Sequence, residues 1–126
     1  MLQRDYLVQM IAQFVEAIIR TRTKENVDPQ EAADSLETAL NSVLDIDASV
    51  LLAMGPESIA AVMQLSGVDP KLAVYIAYSL RLEAQYLQEA GDGYLAELRL
   101  GQAQSIAETF GFDLAEVPIE LEESND

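Results

Sequence analysis

Glu83 lies in a stretch from Pro70 to Ala90 that is otherwise apolar nearly all round, through Leu72, Val74, Tyr75, Ile76, Tyr78, Leu80, Leu82, Tyr86 and Leu87. A carboxyl group in such surroundings is a candidate for burial, and burial raises its pKa toward the range of general acid–base work. Tyr75 and Tyr78 are the phenols that would share such a site. Two features argue against it. Arg81 and Arg99 bracket Glu83 in sequence, each able to neutralise it, and no nucleophile or cluster of oxyanion donors accompanies it. The expectation is a chain with no catalytic residues, not an enzyme.

The rest of the chemical repertoire is narrow. The 126 residues include no Cys and no His. Disulfides, thiol catalysis, thiolate or imidazole zinc sites and any Ser-His or Cys-His pair are thereby excluded. Oxygen ligands for Ca²⁺ or Mg²⁺ remain, but the alternating Asp/Asn, central Gly and closing Glu of an EF-hand do not occur. No metal and no cofactor are expected.

Charge narrows the partners. Seven basic residues stand against 22 acidic ones, a formal net charge of −15. No Lys or Arg occurs between Lys24 and Lys71, and none from Gly101 onward. Nucleic acid requires a basic face, and anionic lipid would be repelled by the same field. The acidic stretches from Glu25 to Asp47 and from Glu108 to Asp126 are solvated faces, or a lure that speeds encounter with a basic protein. Half of the residues are apolar and 6% are aromatic, which excludes a disordered chain or a collagen-like repeat. Apolar runs such as Val50 to Met54 are far short of the roughly 20 residues that span a bilayer. The start, Met1-Leu-Gln-Arg-Asp-Tyr, is unlike a secretory signal, so a cytoplasmic location is expected.

Positioning these residues falls to helices. Leu7, Met10, Ile11, Phe14 and Ile18 recur at three- and four-residue spacing and predict an amphipathic helix from about Gln3 to Lys24, with Arg20, Arg22 and Lys24 near its carbonyl end. Asp28-Pro29 opens a second helix carrying Ala32, Leu36, Ala39, Leu40 and Val43, and Asp69-Pro70 opens a later one in the same way. Asp47 caps a turn or two that Gly55 stops, and Pro56 starts a helix that Gly67 ends. Gly91-Asp92-Gly93 breaks the apolar Pro70–Ala90 stretch. A final helix from about Tyr94 to Phe110, with Ala96, Leu100, Ala103 and Ala107 inward, then folds back as an antiparallel hairpin. No stretch alternates as a strand would. Phe112 and Leu114 are apolar enough to dock, and the remainder is expected to be a partly mobile acidic tail. The expected division is residues 1–112 as one helical domain and 113–126 as tail.

The last hairpin resembles a tetratricopeptide repeat. Aligned on Gly91-Asp92, Ala84, Ala96 and Ala103 take the small positions and Leu87 and Leu100 the large ones; Ala32, Leu36 and Ala39 repeat that spacing earlier. The pattern departs at Leu80, at Glu83 and in the Thr23–Pro29 connection. Over nearly its full length the chain is also similar to a small uncharacterised bacterial family of helical, tetratricopeptide-like proteins. That similarity rests on Gln3-Arg4-Asp5-Tyr6-Leu7 with Gln9-Met10-Ile11 and Phe14, on Leu44-Asp45-Ile46-Asp47 and on the closing Gly-Asp hairpin. The resemblance implies that the first helix of the last hairpin lines a concave face, presenting Tyr78, Arg81, Gln85 and Gln88 to an extended peptide.

The reading is an all-α fold of five or six helices in antiparallel hairpins, a short tetratricopeptide-like stack. Its expected function is that of a non-catalytic module for a protein or peptide partner, with a basic partner favoured by charge and self-association through the apolar first helix as a further expectation. The alternative is a protein that binds a small ligand in an apolar pocket between helices. A closed pocket lined by Tyr75 and Tyr78 would favour the ligand; an open face with Arg81 and Gln85 would favour peptides.

Overall fold

The computed structural model describes residues 2–44, 46–118 and 121, with side chains from Asp5 onward. Six helices account for most of them: α1 (Leu2–Thr23), α2 (Pro29–Val43), α3 (Ala48–Leu52), α4 (Pro56–Leu65), α5 (Pro70–Glu89) and α6 (Gly93–Phe110). The described residues contain no strand. The fold is all-α.

Helix starts follow from local chemistry. The carboxylates of Asp28, Asp47, Asp69 and Asp92 accept from the backbone N–H groups of Glu31, Ser49, Lys71 and Leu95 at 3.3, 3.0, 2.8 and 3.1 Å. Such a cap satisfies an N–H that the helix itself leaves unpaired and contributes about 1 kcal/mol. Pro29, Pro56 and Pro70 occupy first-turn positions, where a missing N–H costs nothing. The α5–α6 turn needs a left-handed residue. Gly91 supplies it at φ 88°, so that the Asp92 N–H can close back on the Leu87 carbonyl at 2.9 Å.

Helix α5 is the centre of the packing. It lies along α6 as an antiparallel hairpin and is flanked by α2 and α1, while α4 covers α6 from the far side. Its buried residues go round most of its circumference: Leu72, Ala73, Tyr75, Ile76, Ala77, Tyr78, Leu80, Leu82, Ala84 and Leu87. Fully buried Phe14, Ile18, Leu36, Leu40, Leu51, Ile59, Met63 and Ile106 complete the core from the other helices. Ala32, Ala39, Ala84, Ala96 and Ala103 are all buried, as close approach of helix backbones requires. One inward assignment fails. Leu100 is exposed, and Arg99 takes the buried side of α6 instead.

Helices α1 and α5 run in the same direction. Leu7 and Met10 share a cavity with Val68, Asp69 and Leu72, whereas Arg22, near the other end of α1, reaches Tyr78. Two antiparallel hairpins therefore place their first helices side by side, with α3 and α4 between them in sequence. The described part of the expected tail is packed. Phe112, Leu114 and Val117 are half-buried against the core, and Leu121 is completely buried. Positions 119, 120 and 122–126 of the expected mobile tail lie outside the described residues.

Candidate functional site

Glu83 is buried, as its surroundings predict, at 1% exposure. Its Oε2 accepts from Arg99 Nε at 2.9 Å. Arg99 spends its remaining donors on the Leu52 carbonyl at 2.9 Å, on Gln102 Oε1 at 3.2 Å and on Glu37 Oε2 at 3.4 Å. Gln102 in turn donates to the carbonyls of Leu52 and Met54 at 3.0 and 2.8 Å. Arg99 and Gln102 thus satisfy the carbonyl end of α3, a helix of five residues that would not persist alone. They tie α3 to α6 and, through Glu37 and Glu83, to α2 and α5.

Loss of water pushes the Glu83 carboxyl up to about 9, helped by the neighbouring Glu37 carboxylate and opposed by Arg99. Burial prevails because the single charge on Arg99 is divided between two carboxyl groups and two other acceptors. Glu83 therefore carries a proton at neutral pH. It does not open into a cleft, and the Arg partner that argued against acid–base chemistry is in place, supplied by Arg99 rather than by Arg81. The cluster is a structural tie.

A second set of polar groups lies at the surface between α1 and α5. Arg22 donates through its two terminal nitrogens to the Tyr78 hydroxyl and to the Leu121 carbonyl, each at 2.6 Å. Arg81 stacks over the Tyr78 ring at 5.1 Å from its centroid and donates to the Leu114 carbonyl at 2.7 Å. Two arginines thus flank one tyrosine, and both hold main-chain carbonyls of the segment that follows α6. The segment is turned rather than extended, with the Glu116 N–H closing on the Asp113 carbonyl at 3.1 Å, and because carbonyl acceptors are common to every peptide the grip reads the main chain rather than a particular side chain.

Toward the other end of the two helices the same groove is uncovered. Leu7, Val8, Ile11, Ala12, Val15 and Ile19 on α1 face Tyr75 on α5 across a space of about 580 Å³, with Glu16, Asp69 and Lys71 also lining it. A smaller apolar cavity of about 180 Å³ lies among Met10, Val43, Leu51, Met63 and Leu72, below the roughly 300 Å³ at which small-molecule sites begin.

Of the four residues that the repeat resemblance assigns to a concave face, Tyr78 is buried and Arg81 half-buried, with Leu114 and Leu121 bonded to the arginines beside them, while Gln85 and Gln88 are exposed. Tyr75 and Tyr78 do not line one closed pocket: Tyr75 faces the open groove, and Tyr78 lies under the two arginines. Sequence reasoning missed Arg22, whose place in the last turn of α1 is already accounted for by the helix dipole. The signal was there in its rarity, since Arg20, Arg22 and Lys24 are three of only seven basic residues. Among the described residues no group of three or more carboxylates is placed to hold a metal ion, and no helix is long and apolar enough to cross a membrane. Comparison of the chain with family models, with curated proteins and with solved structures gave no match.

Proposed function

We propose that this protein is a non-catalytic interaction module, tetratricopeptide-like in plan, whose α1/α5 groove takes a short peptide segment of a protein partner. The observation that carries the reading is the seating of the segment after α6: Leu114 and Leu121 are held beside Tyr78 by their own carbonyls, through Arg81 and Arg22. In this arrangement the segment is a stand-in for the partner. The side-by-side, same-direction placement of α1 and α5 supports the tetratricopeptide-like plan, since the first helices of successive hairpins line the groove in such stacks. A cytoplasmic setting belongs to the same proposal, as does the absence of any cofactor.

The chemistry of the stand-in describes the partner. It offers apolar anchors at Leu114, Val117 and Leu121, main-chain carbonyls at Leu114 and Leu121, and acidic residues such as Asp113 and Glu116 between them. Arg22 and Arg81 favour that acidic spacing. This changes the sequence-based expectation of a basic partner, which rested on net charge and not on the charge at the groove.

The test is binding in trans. A labelled synthetic peptide of residues 112–121 is titrated into the full chain and into the Leu121→Asp variant, whose own segment loses its buried anchor. The variant is expected to bind the peptide at least roughly tenfold more tightly than wild type, and Arg22→Ala with Arg81→Ala in that background should abolish binding. A variant that keeps its helical circular dichroism yet fails to bind the peptide contradicts the proposal.

A further inference from the structure

A proline leaves an earlier carbonyl without a donor. In a helical turn each carbonyl is taken by the N–H four residues on, and proline has none. The prolines are Pro29, Pro56, Pro70 and Pro118, so the carbonyls concerned are those of Glu25, Leu52, Ser66 and Leu114. Glu25 and Ser66 are exposed, where water serves. Leu52 is buried, and Arg99 and Gln102 donate to its carbonyl at 2.9 and 3.0 Å. Leu114 is half-buried, and Arg81 donates to its carbonyl at 2.7 Å. At both covered positions an arginine stands in for the amide that proline lacks.

The stretch before Pro118 begins as a helix does and stops after one turn. The Asp113 carboxylate accepts from the Ala115 N–H at 2.9 Å, as an N-cap does, and the Asp113 carbonyl accepts from the Glu116 N–H at 3.1 Å. To go on, the helix would need an N–H at position 118 to close on the Leu114 carbonyl. Pro118 has none, and it also disfavours helical backbone at Val117. Among the described residues only Arg81 donates to the Leu114 carbonyl. The turn sets Leu114 and Val117 against the core together, whereas an extended chain would send residues three apart to opposite faces.

We propose that Arg81 is a specificity determinant for a proline-stopped turn. The partner segment then carries a capping residue, an apolar residue, two variable ones, a second apolar residue and a proline, in the order that Asp113 to Pro118 follow. Arg81 takes the carbonyl that the proline leaves without a donor. With an N–H in the proline's place the turn continues as a helix and takes that carbonyl itself, so Arg81 gains little. This inference rests on the reading of the groove as a peptide site and adds what the peptide must contain. Leu121, three residues beyond the proline and completely buried, marks the place of a further apolar anchor.

The experiment titrates labelled peptides of residues 112–121 into the full chain carrying Leu121→Asp. Three peptides are compared: native, Pro118→Ala, and Pro118→N-methylalanine, which like proline has no N–H. Pro118→Ala is expected to weaken binding roughly fivefold, the share of one charge-assisted hydrogen bond, while N-methylalanine stays within about twofold of native. With Arg81→Ala added to the protein, the three peptides should agree within about twofold. An alanine peptide that binds as tightly as the native one overturns the proposal and leaves peptide binding itself intact. So does a preference for proline that survives Arg81→Ala. Should no peptide bind, the groove reading fails, and exchange of the Leu121 amide in the otherwise native chain decides instead. Arg81→Ala should speed that exchange roughly fivefold with Pro118 in place and less than about twofold beside Pro118→Ala. Equal acceleration in both backgrounds overturns the proposal.

Discussion

Arg99 on one side of α5 and the pair Arg22 and Arg81 on the other do similar work in different settings. Each arginine donates to main-chain carbonyls that a helix or a following segment leaves unpaired. Arg99 is 5% exposed, and its acceptors sit on α2, α3, α5 and α6, so releasing it would unlink four helices and strand the buried oxygens of Glu83 and Gln102. Arg22 and Arg81 are half-buried, and the carbonyls they hold belong to one terminal stretch of chain. If that stretch leaves, water can replace it at both guanidinium groups. The first arrangement is a tie inside the fold. The second is a grip on something removable, which is why the proposed function rests there.

The largest expected effect comes from cutting the tie. Arg99→Met removes the buried charge and leaves the Leu52 carbonyl to Gln102 alone. A loss of about 3 kcal/mol is expected in urea unfolding, at the low end for a broken buried pair because Glu83 is already protonated. A loss below about 1 kcal/mol would erase the contrast with the groove arginines. Arg81→Ala should cost only about 1 kcal/mol, the value of a half-exposed charged hydrogen bond and a ring contact, with the loss confined to the segment it holds.

A subtler effect separates the two regions by pH. Glu83 is held at about 9 in the folded chain against 4.5 in the unfolded one, so between those values the folded state binds the extra proton. Its contribution is greatest below about pH 4.5 and is lost as pH rises toward 9. Glu83→Gln, which keeps the shape but cannot ionise, should remove that slope. The stability difference between variant and wild type should therefore shift in favour of the variant by up to about 1.4 kcal/mol per pH unit within the window. Arg22→Ala and Arg81→Ala should leave the slope unchanged. A wild type and Glu83→Gln with parallel pH profiles would show that Glu83 is ionised in the fold.

The sequence made the helices legible because their signals are local. Asp28-Pro29 and Asp69-Pro70 cap and start helices by chemistry within a few residues, and Gly91 ends one by its backbone freedom. The buried alanines were legible for the same reason, by their spacing. Arg99 was legible as a candidate partner of Glu83, but not its burial, since an arginine beside Leu100 on an amphipathic helix reads as surface. Only the backbone carbonyls of α3, nearly fifty residues away in the chain, make burial tolerable for it. The docking of Phe112, Leu114, Val117 and Leu121 was half legible. Leu114, Val117 and Leu121 recur at helical spacing, but the acids between them weigh a reading by composition toward a solvated tail, and their acceptor sites on Arg22 and Arg81 are visible only in three dimensions.

Everything proposed for the groove depends on its present occupant being separable from the fold. Native-state hydrogen exchange measures this directly, by comparing the Leu121 amide, bonded to the Pro118 carbonyl at 2.9 Å, with amides in the middle of α5. The account predicts that the Leu121 amide exchanges through a local opening at a free energy at least about 2 kcal/mol below that of α5, with no dependence on Arg99. Exchange of the two only through the same global unfolding would make the segment an integral part of the core and contradict the account.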